Sequence, residues 1–210
     1  MNATPAAARS DQVPISAVTW TSIHRWPRMP AVSLPDEPRF IPPVHPAAWD
    51  EAALLEQCEV KRQRRSGPGG QHRNKVETAV VITHLPTGLR GAASERRSQE
   101  QNRHQAILRL RVNLALGLRR DASHEPTQPS LVWQKWCSTG RVPLSATHPD
   151  FPALLAETLD QLQACQFELR RAADRLQCSP SQLVKLLQRE PRAIEQLNRY
   201  RQQVGLKPLK

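Results

Sequence analysis

The chain has 210 residues, with 30 Lys and Arg against 19 Asp and Glu for a net charge of +11, and it is 39% hydrophobic with 19 prolines. That length holds one ordinary domain with appendages or two small ones, and it excludes a large enzyme barrel. No apolar run approaches the roughly 18–20 residues of a membrane helix and Met1–Pro30 lacks an apolar signal core, so a soluble protein without membrane contact is expected.

Residues 1–45 are rich in Pro, Ala and Ser, with Trp20 and Trp26 as large anchors, and read as a disordered lead-in. Residues 46–120 read as a small α+β domain. Trp49, Ala52, Ala53 and Leu55 are spaced for a short helix over Ala47–Gln57, and a strand over Cys58–Arg64 follows. Thr78–Leu85 is β-branched and apolar, Pro86-Thr87-Gly88 suits a tight turn, and Leu89–Ser94 returns as a hairpin partner. Ser98 and Gln101 have capping-box spacing, and Ile107, Leu110, Leu114 and Leu118 repeat at helical intervals, which predicts a helix over Gln99–Leu118.

Residues 121–150 carry four prolines and read as a linker, with one short apolar patch at Leu131–Trp136. Residues 151–210 read as a separate all-α unit. Leucines at 154, 155, 159 and 162 mark one helix, and Leu169, Ala172, Ala173 and Leu176 a second. Ser179-Pro180-Ser181-Gln182 supplies a cap, a proline at the first helical position and a capping-box glutamine for a third helix that Pro191 stops, and a last helix covers Arg192–Val204. The stretch Ala172–Val184 also has the cadence of a helix-turn-helix, and a plain helical bundle explains the same leucines.

The charge is unevenly placed. Lys61–Arg120 holds 14 Lys and Arg against Glu77, Glu95 and Glu100, which is the whole excess, because the remaining residues carry 16 of each sign. Such a block points to a polyanionic partner, nucleic acid foremost. It contains no Phe, Tyr or Trp, so phosphate and shape contacts are expected rather than base stacking. Cys58, Cys137, Cys165 and Cys178 show no Cys-x-x-Cys spacing, so neither a metal site nor a disulfide framework is expected, and a reducing cytoplasm is the expected location.

Ser66-Gly67-Pro68-Gly69-Gly70-Gln71-His72-Arg73-Asn74 is the most informative stretch. Three glycines around a proline permit backbone angles closed to other residues, so the loop can present N–H groups ahead of the Gln71 amide. It lacks the Gly-x-x-x-x-Gly-Lys-Ser/Thr of a phosphate-binding loop, and by itself it also suits a hairpin tip. Arg65–Asn74 is followed by Thr78-Ala79-Val80, by His84-Leu85-Pro86-Thr87-Gly88 and by Ser94–Asn102, and together these resemble the GGQ domain of class I peptide chain release factors. The likeness covers about residues 54–118.

The resemblance implies that Gly69, Gly70 and Gln71 promote hydrolysis of the peptidyl-tRNA ester in the ribosomal peptidyl transferase centre. It makes the large-subunit rRNA and peptidyl-tRNA the partners of a monomer that needs no cofactor. Arg62, Arg64, Arg65, Arg73, Lys75, Arg96, Arg97 and Arg103 are then the expected RNA contacts. His72 adjoins the loop and could be offered as a general base, but in the family a histidine there is a variable neighbour and nothing nearby looks like a nucleophile with its base; His84 and His104, on a strand and a helix, lack metal-ligand spacing and read as surface or packing residues. The chain has no room for a codon-reading domain and no recognisable codon-reading tripeptide, so it looks most like the stand-alone proteins that rescue stalled ribosomes. It departs from those in ending on helices instead of a strongly basic tail. The alternatives are a helix-turn-helix or rRNA-binding protein that uses the domain as a non-catalytic platform, and an assembly or hibernation factor.

Overall fold

The computed structural model describes residues 39–41, 44–64, 78–121, 128–137 and 139–209. The fold is α+β. Strands β1 (Arg39–Ile41), β2 (Cys58–Gln63), β3 (Ala79–His84), β4 (Arg90–Ala93) and β5 (Leu118–Arg120) are joined by helices α1 (Glu51–Glu56), α2 (Gln99–Gly117), α3 (Leu131–Trp136), α4 (Phe151–Ala164), α5 (Leu169–Arg175), α6 (Pro180–Leu187) and α7 (Pro191–Gln203).

Strands β2, β3 and β4 form an antiparallel sheet in that order, with Cys58 opposite His84, Gln63 opposite Ala79 and Val80 opposite Ala93. The β3–β4 turn closes through the Gly88 N–H on the His84 carbonyl at 2.8 Å, and Gly88 has φ +72°, which its missing Cβ allows. Helix α2 starts where expected, with Ser98 Oγ accepting from the Gln101 N–H at 3.3 Å. It lies so close to β4 that a Cβ on Gly91 would collide with the Ala106 carbonyl and the Leu110 amide.

The predicted helix over Ala47–Gln57 is split. Pro46–Ala48 makes a 3-10 turn, and α1 begins only after Asp50, whose Oδ1 accepts from the Ala53 N–H at 2.9 Å. Of the predicted disordered lead-in, residues 1–38 lie outside the described residues, whereas Arg39–Ile41 pairs in parallel with β5.

The largest departures concern the linker and the separate helical unit. Ser130 caps α3 by accepting from the Trp133 N–H at 3.1 Å, and the Trp133 side chain is fully buried, its Nε1–H donating to the Leu176 carbonyl at 2.7 Å. Every residue from Phe151 to Leu162 of α4 is buried, and the apolar side chains of α4 join one continuous core with Val80 and Ile82 of the sheet and with Leu110, Leu114 and Leu116 of α2. A helix buried on all sides needs partners all round, and here α2, α3, α5 and α6 supply them.

Polar ties cross the same boundary. Arg119 is buried, with Nη1 donating to the Ala115 carbonyl at 2.8 Å and Nη2 to Gln196 Oε1 at 3.0 Å, while Gln196 Nε2 donates to the Leu116 carbonyl at 3.1 Å. The Arg120 Nε–H donates to buried Asp160 at 2.8 Å. Residues 151–210 are therefore built into the core of the α+β part.

Within 151–210 the helix ends also differ. Ser179 makes no side-chain cap, and Gln182, the expected capping-box partner, instead accepts from the Val142 N–H at 3.5 Å. Pro191 starts α7 instead of merely stopping α6, since a proline at the first helical position forfeits no helical hydrogen bond. Glu190 caps α7 and also holds Arg192 Nε at 2.6 Å. The helix-turn-helix cadence folds as α5, a turn with Gln177 at φ +52°, and α6, whose Leu183, Leu186 and Leu187 face the core.

A buried histidine makes stability depend on pH. His45 Nδ1 accepts from the Ala47 N–H at 3.0 Å and Nε2 lies 3.4 Å from the Leu118 carbonyl, a pattern suited to the neutral ring. Burial pushes its pKa down from 6.5 to about 4. Between those values the unfolded chain binds the extra proton, so stability is intact above about pH 6.5 and falls as pH drops towards 4, by up to about 3 kcal/mol. Burial lowers His84 in the same direction. Urea melts across this range should show a smaller loss for His45→Gln than for the parent chain, and equal slopes would contradict the assignment.

Candidate nucleic-acid interface and catalytic loop

Arg65, Gly69, Gly70, Gln71, Arg73 and Lys75 lie outside the described residues. The two strands that carry them are described: the Gln63↔Ala79 pair closes the sheet where β2 leaves for the glycine-rich segment and β3 returns from it. The segment is thus held between two adjacent antiparallel strands, each extended up to the point of departure.

The remaining predicted RNA contacts gather at this end. Arg62 is the next-to-last residue of β2 and Arg64 follows the strand, both exposed. Arg96 and Arg97 are exposed in the turn between β4 and α2, and that turn is fastened to the loop root through Asn102. Asn102 Nδ2 donates to the Thr78 carbonyl at 2.7 Å and to the Arg96 carbonyl at 2.9 Å, and Oδ1 accepts from the Arg96 N–H at 2.9 Å. Arg103 sits beside them on α2 but is already engaged, with Nη1 3.0 Å from Glu51 and 3.3 Å from Glu100.

The charge block is therefore not one uniform surface. Arg109 donates to the Ala92 carbonyl at 2.7 Å and pairs with Glu95; Arg111 donates to the Ala47 and Pro149 carbonyls at 3.0 and 2.8 Å. Together with buried Arg119 and Arg120 these bases hold backbone carbonyls and carboxylates of the fold, as forked guanidinium donors can. Among the described residues, Arg62, Arg64, Arg96 and Arg97 are exposed near the loop root, and Arg90 is exposed at the other end of the sheet.

The described hydroxyls paired with a base, Thr87 with His84 and Ser130 with Glu157, lie away from the loop root. His84 is packed, with Nδ1 2.8 Å from Thr87 Oγ1 and its ring edge-on to Trp49, and His104 is exposed beside Glu100. Burial pushes the Cys58 thiol up to about 11 and Cys178 up to about 12, so neither is a thiolate near neutral pH. Among the described residues no His, Cys, Asp or Glu cluster could hold a metal ion.

The residue that sequence reasoning missed is Asn102. It was visible as a polar residue on the buried stripe of α2, four before Ala106 and eight before Leu110, where an apolar residue is the default.

This antiparallel sheet backed by a capped helix, with exposed arginines where the segment holding Gly69-Gly70-Gln71 joins it, lies within the part of the chain that is similar to a known family. Residues 54–138 match the RF-1 domain family, and the match runs past α2 to include α3. Peptide chain release factor 1 of Symbiobacterium thermophilum is 44% identical over 73 residues, covering 35% of this chain and 20% of that protein. Peptide chain release factor 1 of Ureaplasma parvum serovar 3 is 38% identical over 105 residues, covering 45% of this chain and 28% of that protein. The chain thus spans less than a third of the length of these curated relatives.

Proposed function

We propose that this protein hydrolyses the ester between peptide and tRNA on the ribosome, without reading a stop codon, and so frees stalled ribosomes. The observation that carries this is Gly69-Gly70-Gln71 suspended between paired strands with Arg62, Arg64, Arg96 and Arg97 at its base. Water attacking an ester builds negative charge on the carbonyl oxygen, and a pre-aimed backbone N–H at Gln71 stabilises it, while the Gln71 amide positions the water. With no hydroxyl or thiol paired to a base at the loop root among the described residues, the chain relies on the peptidyl transferase centre to complete the site. The arginines bring it there by displacing counterions from rRNA phosphates. Gly69, Gly70 and Gln71 are the proposed catalytic residues. The proposed setting is the cytoplasm, with the chain acting as a monomer; among the described residues no helix is long and apolar enough to cross a membrane.

Codon independence is tested by peptide release from ribosomes with an empty A site, with a sense codon and with a stop codon. Equal release with and without the stop codon is expected, and release confined to stop codons would overturn the rescue reading. Affinity for the large subunit should fall steeply with salt. Replacing Arg96, Arg97 and Arg103 together by Gln should flatten the log–log salt slope by about two, less than three full contacts because Arg103 is already paired with Glu51 and Glu100. An unchanged slope in filter-binding titrations would place the RNA contacts elsewhere.

A further inference from the structure

We infer that Asn102 is a positioning residue, one that fixes Thr78, where the chain returns from the glycine-rich segment, relative to the turn bearing Arg96 and Arg97; the inference rests on the reading under Proposed function. Three observations meet in this one side chain. Asn102 is fully buried, so every hydrogen bond it makes is strong in place and costly to lose. Its amide donates to the carbonyl of Thr78, the first described residue after the glycine-rich segment, and its two remaining bonds are to the backbone of Arg96. It stands on the first turns of α2, whose later turns are locked into the core by Leu110, Leu114 and Leu116.

The amide therefore ties Thr78, the turn bearing Arg96 and Arg97, and a helix whose later turns are buried in the core to one another. The arginine turn sets where the protein lies on rRNA, and the loop must then place Gln71 at a single ester. An error of about 1 Å between the two costs on the order of 100-fold in rate even though binding survives. Asn102 is chemically suited to this because only an amide offers two donors and an acceptor on one short, stiff stem.

The test uses the full chain and ribosomes carrying a labelled peptidyl-tRNA. Asn102→Ala removes all three bonds. Asn102→Asp keeps the shape and the bond from the Arg96 N–H but sets an oxygen against the Thr78 and Arg96 carbonyls. Both should lower the release rate at saturating protein by about 30-fold or more while ribosome affinity stays within about threefold. An ordinary packing role would leave the saturated rate of the folded fraction unchanged. Full release by Asn102→Asp, affinity and rate falling in step, or loss of cooperative melting at assay temperature by both variants would each overturn the proposal. A wild-type chain that frees no peptide would overturn the functional reading itself, whereas an active wild type with unaffected variants would overturn only the role of Asn102.

Discussion

Gln71→Glu should bind ribosomes within about threefold of the wild-type chain and release peptide at least about 100-fold more slowly. The oxyanion that forms as water attacks the ester is stabilised only by donors aimed at it in advance. With Gln71 in its proposed role, a carboxylate at position 71 would bring negative charge to the point where negative charge develops and could no longer donate to the water to be oriented. Gly70→Ala should act through the backbone, since a Cβ narrows the dihedral angles by which the chain aims the following N–H. Neither change touches an arginine, so the loss should fall on the rate and leave affinity in place, which single-turnover release beside equilibrium binding would separate. Undiminished release by both variants would remove the catalytic assignment.

Deleting residues 151–210 should unfold the remainder. Phe151, Leu154, Leu155, Leu159 and Leu162 of α4 are each at most 3% exposed and share the core of α2 and the sheet. At about 2 kcal/mol for each buried side chain their loss amounts to roughly 10 kcal/mol, comparable with the whole stability of a domain. The deletion also strips Arg119 of Gln196 and Arg120 of Asp160, leaving buried guanidinium groups with less compensation. Circular dichroism of the 1–150 fragment should show no cooperative melt. A fragment that melts like the parent would mean that the α+β part stands alone, as its sequence suggests.

Local patterns carried the reading of the sheet and of α2: alternation in β3, the Pro-Thr-Gly turn, and Ser98 with a leucine repeat behind it. They failed where the determinant is distant in sequence. Trp133 looks like a stray apolar residue in a proline-rich stretch, because what buries it is the Leu176 carbonyl and the α4 core, 43 residues away for that hydrogen bond. The run Val112-Asn113-Leu114-Ala115-Leu116 in α2 was a legible hint of burial on all sides, and so of a second layer against α2. Charge counting located the arginine block but could not separate Arg96 and Arg97, which face outward, from Arg119, whose guanidinium closes a helix end. At the site the loop motif was legible as a string, whereas the tie between Thr78 and Arg96 through Asn102 needs the folded chain.

The most direct test of the catalytic claim compares the full chain acting on ribosome-bound peptidyl-tRNA with the same peptidyl-tRNA free in solution. The claim predicts stoichiometric release of labelled peptide, with the tRNA left intact, from ribosomes with an empty A site and none from free peptidyl-tRNA, because on this account the ribosome completes the site. Tight ribosome binding with no peptide released would contradict it and leave the domain as a binding platform.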